Sequence, residues 1–203
     1  MQTRSYVSSV RSAAAAEKRE RVVQAASRYL REDAGISGFS LEAVAKAAGV
    51  TRLTVYNQFG SRRGLLEAVF DEIAQRGGLF QLADAMTAPD PRRGLDMVID
   101  IFCRFWSSDP ALGRLHDAMA IDTEFAVALT ERNERRRQTI GVLMARIIAG
   151  PALEARRRNA TDLIFCLTSC ATYRMLGHSR TIEETVTLIS KACADAIDGQ
   201  APA

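Results

Sequence analysis

Thr51, Arg52, Thr54, Asn57 and Gln58 fall within one short stretch in which only Val55 and Phe59 turn clearly inward on a helix. Such a helix, polar around most of its circumference, presents donors and acceptors at the density that base edges and phosphates in a major groove require. A solvated helical face would show the same composition, so the flanking elements matter. Upstream, Leu41, Val44, Ala45 and Ala48 repeat at i, i+3, i+4 and i+7, one stripe of a helix that Ser40 can cap. Gly49 stops that helix because glycine reaches the positive φ of a tight interhelical turn at no steric cost. Thr51 caps the next. Two short helices joined by Ala48-Gly49-Val50-Thr51 have the length and glycine usage of a helix-turn-helix. A further helix, opening Ser61-Arg62-Arg63, follows with the stripe Leu65, Leu66, Val69, Phe70 and Ile73.

The charge is distributed to match. The chain has 203 residues and a net charge of +3, but residues 1–78 hold 12 Lys and Arg against 8 Asp and Glu, whereas residues 79–203 hold 15 against 16. A basic segment is the minimal electrostatic requirement for a phosphate-bearing partner, although basic residues also merely solvate helices. With 47% hydrophobic and 25% charged residues the composition is that of a folded globular chain and excludes wholesale disorder. No run of 18 apolar residues occurs, and the N-terminus has no apolar core of secretory length, so a cytoplasmic protein without membrane contact is expected. Cys103, Cys166, Cys170 and Cys193 show no CxxC spacing and read as reduced residues in apolar helices.

Helical periodicity dominates, and no segment alternates with period two, so the expected fold is all-α. Residues 1–16 lack an apolar stripe and read as a mobile tail. Val22, Ala26, Tyr29 and Leu30 mark a first helix ending near Asp33, before Gly35. The helix-turn-helix block then occupies residues 17–78, with Gly77-Gly78 a softening point. The rear block, 79–203, is punctuated by Asp90-Pro91, Asp109-Pro110 and the capping box Thr181-Ile-Glu-Glu184. Helices are expected near 92–107, 110–119, 122–148, 152–177 and 182–197.

Residues about 18–76 resemble the DNA-binding domain of the TetR family of bacterial regulators. The likeness lies in Phe39-Ser40, in Ala43-Val44-Ala45 through Ala48-Gly49-Val50-Thr51, in Val55-Tyr56 with Phe59, and in Ser61-Arg62 with Leu65-Leu66. It implies that Ser40 meets a phosphate while capping its helix, and that Thr51, Arg52, Leu53, Thr54, Tyr56 and Asn57 lie at or near the groove. Lys46, Gln58, Arg62 and Arg63 complete the candidate DNA contacts. Arg52 suits either a guanine or a phosphate, Tyr56 a phosphate through its hydroxyl, and Arg62 the backbone at a helix N-terminus. Leu53 departs from the small residue or proline usual there. Val22, Tyr29, Val44, Val50, Val55, Phe59 and Leu66 read as core. Arg4 and Arg11 have a minor-groove reading and a solvated one.

The resemblance also implies a rear domain that dimerises and binds a small effector, in a repressor released from a palindromic operator. The segment Leu163-Ile-Phe-Cys-Leu167 is apolar on all sides, and Val186, Ile189, Cys193, Ala196 and Ile197 form one stripe. Both call for cover that a homodimer through the last two helices, about 155–177 and 182–197, would supply. Phe102, Trp106, His116, Met119, Phe125, Cys166 and Tyr173, with Phe105 and Phe165, are the candidate contacts for a largely apolar effector; each is equally a core residue by pattern. The run Glu131-Arg-Asn-Glu134-Arg-Arg-Arg137 reads as a solvated helical face. No catalytic residue, metal set or cofactor is expected: phosphate loop, HExxH, dinucleotide fingerprint and nucleophile elbow are all missing. The rivals are an all-α enzyme and a dimeric interaction protein that does not bind DNA.

Overall fold

The computed structural model describes residues 3–32 and 38–199. Among these residues every regular element is helical, as the periodicity predicts. In chain order they are α1 (Thr3–Arg31), α2 (Leu41–Ala48), α3 (Arg52–Phe59), α4 (Arg62–Arg76), α5 (Leu82–Thr87), α6 (Pro91–Ser108), α7 (Ala111–Ala118), α8 (Thr123–Ile147), α9 (Glu154–Leu167), α10 (Cys170–Leu176) and α11 (Ile182–Asp198). They form two compact units, Met1–Glu72 with Pro110–Ala126, and Ile73–Asp109 with Val127–Ala203.

The first unit is built on α1, which packs on α2, α3 and α7. Val22, Ala26 and Leu30 of α1 are buried with Val44 and Ala45 of α2, Val55 of α3 and Leu65, Leu66 and Val69 of α4. Ser27, fully buried, donates to Glu72 at 3.1 Å and so ties α1 to α4. The helix α1 begins at Thr3, so residues 3–16, read from the sequence as a tail without an apolar stripe, are helical. Thr3–Arg31 contains neither Gly nor Pro, and Ala13–Ala16 is a run of the best helix former. Residues 13–21 stay exposed, so this extension rests on propensity propagated from a nucleated helix rather than on burial. The side chains of Arg4 and Arg11, and the expected helix end near Asp33 before Gly35, lie outside the described residues.

The second unit centres on α6, which packs on α5 and α11. Leu95, Val98, Ile99, Phe102 and Phe105 give α6 one buried face. Asp90 caps it, accepting the Arg92 N–H at 2.9 Å just ahead of Pro91. At α11 the expected capping box is formed: Thr181 N–H donates to Glu184 at 2.8 Å and Glu184 N–H to Thr181 Oγ1 at 3.2 Å. Two expectations change. The helix expected over 152–177 is broken at Thr168-Ser169, where Ser169 turns extended and accepts the Thr172 N–H, starting α10; serine and threonine compete with the helix for backbone groups. Of the stripe Val186, Ile189, Cys193, Ala196 and Ile197, read as awaiting a partner, Ile189, Cys193 and Ile197 are buried within their own unit, where α11 packs on α6 and α9, while Val186 and Ala196 are half-buried. Within the single chain Ile164 is buried while Leu163 and Cys166 are exposed, so part of 163–167 is left without cover from its own unit.

Candidate nucleic-acid interface

Local rules build the helix-turn-helix. Ser40, extended, accepts the Ala43 N–H at 3.1 Å to open α2. Gly49, at φ 66° and ψ 36°, closes α2, and its N–H bonds back to the carbonyls of Ala45 and Lys46. Thr51 then opens α3: its Oγ1 accepts the Thr54 N–H at 3.1 Å and lies 2.9 Å from the Thr54 hydroxyl. These caps matter because an eight-residue helix is too short to be stable alone.

The packing of α3 decides which of its side chains are free. Val55 is completely buried, and Phe59 lies half-buried under the guanidinium of Arg19, 4.5 Å from its ring centroid. Around the other side, Arg52, Leu53, Tyr56 and Asn57 are exposed, Leu53 to 65% and Tyr56 to 56%. Spaced i, i+1, i+4 and i+5, they form one continuous outward face. Thr51 is exposed and Thr54 half-buried, both hydroxyls engaged in the cap. Gln58 is different: its side-chain oxygen is buried with no hydrogen-bond partner, so its amide is only partly presented outward. Ser40 and Lys46 are exposed beside this face on α2.

Arg62 and Arg63 are engaged within the unit. Arg62 donates from Nε to the Phe39 carbonyl at 3.0 Å and from Nη1 to Asp122 at 2.8 Å, with its guanidinium 5.6 Å from the Phe39 ring centroid. Arg63 pairs with Glu67 at 2.7 Å, one turn along α4. Arg62 thereby fixes the start of α4 against both the residue preceding α2 and the α7–α8 junction. Gly64 sets how closely α3 and α4 meet, because a Cβ there would overlap the Phe59 carbonyl. One contributor went unread in the sequence. Arg19 of α1 donates to the Gln58 carbonyl at 3.4 Å, placing a cation at the C-terminal end of α3. Its position 39 residues away left no local signal.

The effector candidates fall in both units. In the first, Phe125 is fully buried, its N–H donating to Asp122 at 2.9 Å, while His116 and Met119 on and after α7 are half-buried. In the second, Phe102 and the half-buried Trp106 stack at 6.1 Å, and Trp106 donates its indole N–H to the Thr168 carbonyl at 2.9 Å. Tyr173 is half-buried and Cys166 exposed. Burial pushes the Cys103 thiol up to about 11 and that of Cys193 up to about 12, so both stay protonated near neutrality. Among the described residues no cluster of His, Cys, Asp and Glu is arranged to hold a metal, and no helix is long and apolar enough to cross a membrane.

Residues 23–69 match the family described as bacterial regulatory proteins, tetR family. Over 100 residues the chain is 31% identical to the HTH-type transcriptional regulator EthR of Mycolicibacterium smegmatis, a match covering 48% of this chain and 46% of that protein. The chain thus spans about half the length of that relative. Solved structures extend the fold likeness. A Rhodococcus sp. protein described as a TetR-family transcriptional regulator superposes with a TM-score of 0.71 at 18% identity, over 90% of this chain and 100% of its own. NalD, the secondary repressor of the MexAB-OprM multidrug efflux pump in Pseudomonas aeruginosa, gives 0.64 at 21% identity, over 89% and 95%.

Proposed function

We propose that this chain, which its N-terminal domain makes a member of the tetR family of bacterial regulatory proteins, is a dimeric repressor that leaves its operator when a small molecule binds the C-terminal unit. The observation that carries this reading is the outward face of α3. Arg52, Leu53, Tyr56 and Asn57 stand exposed on a helix pinned by Thr51 at one end, Arg19 at the other and Val55 beneath. Tyr56 and Asn57 bring donors and acceptors, Arg52 a full charge, and Leu53 an apolar surface fit for a thymine methyl. Ser40 and Lys46 add phosphate contacts. Arg62 and Arg63 act mainly through position, holding α4 under the reading helix.

Two copies would set their α3 helices about one DNA turn apart, roughly 34–36 Å, over a palindrome. The dimer surface is the exposed part of α9, α10 and α11, where Leu163, Met175 and Leu188 face outward. Effector binding shifts this assembly toward a conformation with the wrong spacing, by no more than the effector's differential affinity for the two states. A protein whose partner is the chromosome works in the cytoplasm.

The test begins by selecting the operator from random-sequence DNA with the full-length protein, then measuring fluorescence anisotropy. Arg52→Ala and Tyr56→Ala should each weaken binding about tenfold or more, the worth of one good charge-assisted or base contact. Arg52→Ala should also flatten the salt dependence by about one counterion. Unaltered affinity in both variants removes the assignment of α3 to the groove.

A further inference from the structure

Arg136 belongs to the charged run that reads as a solvated face, yet in the structure it is only 6% exposed. Its Nη1 donates to the Phe165 carbonyl at 2.8 Å and to Thr168 Oγ1 at 2.7 Å. The guanidinium lies 4.2 Å from the ring centroid of Phe165 and 5.5 Å from that of Phe102. Its Nε is buried and donates to nothing. Among the described residues no carboxylate pairs with it; besides burial it feels the thiols of Cys166 and Cys170, which favour its charge, and the like charge of Arg137, which opposes it. Burial pulls its pKa down to about 10, which leaves it a cation at neutral pH.

Buried charges are ordinarily paired, and an arginine's planar fork is matched above all to carboxylates and other oxyanions. The aromatic faces and the C-terminal end of α9 offset part of the charge here. They satisfy neither Nε nor the full charge. The chain has thus placed an incompletely compensated cation against Phe102 and Phe165, with Trp106 stacked on Phe102, rings that suit an apolar body.

We infer that Arg136 is the anion-recognising group of the effector site, and that the effector is an organic anion: a carboxylate or comparable oxyanion on Arg136 with an apolar chain or ring along Phe102, Trp106 and Phe165. This rests on the effector reading above and narrows it from a largely apolar molecule to an amphipathic acid.

A matched pair of probes tests it on the full-length protein without DNA. The anion 1-anilinonaphthalene-8-sulfonate and the neutral N-phenyl-1-naphthylamine share their rings and differ in the charged group. The protein should bind the sulfonate about tenfold tighter or more, the ratio that one hydrogen bond to a charged group carries. Arg136→Met should abolish that preference while leaving the neutral probe's affinity within about twofold, and Arg136→Lys should keep part of it. Because methionine at this site could disturb folding, the unmodified protein provides a second measurement: decanoate should displace the sulfonate probe and decanol should not. Equal affinity for the two probes, displacement by both competitors alike, or undiminished preference in a natively folded Arg136→Met protein overturns the inference. Operator binding read separately keeps the two ideas apart. If decanoate binds through Arg136 yet leaves operator affinity unchanged, the anion site stands and the effector reading falls.

Discussion

Asp122 holds the α7–α8 junction by two independent bonds, and removing them separately measures each. Oδ1 accepts the Phe125 N–H at 2.9 Å at the start of α8, and Oδ2 accepts from Arg62 Nη1 at 2.8 Å. Losing a cap of this kind costs about 1 kcal/mol. The ion pair lies between two regimes: an exposed pair contributes about 0.5 kcal/mol, whereas breaking a buried one costs about 3–5 kcal/mol. With side-chain exposures of 25% for Arg62 and 15% for Asp122, and the Phe39 carbonyl still bonded to Arg62, about 1–2 kcal/mol is the appropriate figure. Asp122→Ala should therefore lower stability by about 2–3 kcal/mol, and Asp122→Asn, which keeps a capping oxygen, by about 1–2 kcal/mol. At about 2–4 °C per kcal/mol for a chain of this size, the alanine variant should melt about 4–12 °C lower. Thermal unfolding followed by circular dichroism reads both, and a double-mutant cycle with Arg62→Met should return a coupling of about 1–2 kcal/mol. Were the Arg62 and Asp122 substitutions additive, or the alanine variant within about 0.5 kcal/mol of the parent, the latch would be structurally idle.

Two further outcomes follow from packing and burial. Gly64→Ala would ordinarily stabilise a helix by about 1 kcal/mol, but here the new Cβ meets the backbone carbonyl of Phe59, which cannot rotate aside, so α3 must shift. The variant should show no rise in Tm and about tenfold weaker operator binding or worse; ordinary stabilisation with unchanged affinity would exclude the close approach. Cys103 and Cys193 have folded pKa values of about 11 and about 12 against 9.0 when unfolded. The native state therefore holds its thiol protons longer, and stability is complete below pH 9 and declines as pH rises beyond it. Denaturant titrations between about pH 8 and 10 should show that decline, and Cys103→Ser with Cys193→Ser should remove it; a flat profile in the parent protein would contradict the burial of both thiols. Above pH 10 Arg136, with its lowered pKa, contributes with the opposite sign, which sets the upper limit of the titration.

The chain's order of residues determined much of what is decided within a few positions, though not the break at Thr168-Ser169, where the local cap of Ser169 went unread. The caps at Ser40, Thr51 and Thr181, the left-handed Gly49 and the single buried edge of α3 each depend on atoms no more than one helical turn apart, so residue type and spacing sufficed to read them. The early start of α1 was also local, but it rests on alanine propensity without burial, and a search for apolar stripes passes over it. Tertiary structure alone decided which charges face water. Arg62 meets Asp122 across 60 residues, Arg19 reaches the end of α3 across 39, and Arg136 is folded in against Phe165 and Thr168. An arginine on an amphipathic helix is compatible with solvent, an ion pair or a buried ring face. Only the packing of distant elements, which sets the local dielectric and brings the acceptors into range, selects among these environments.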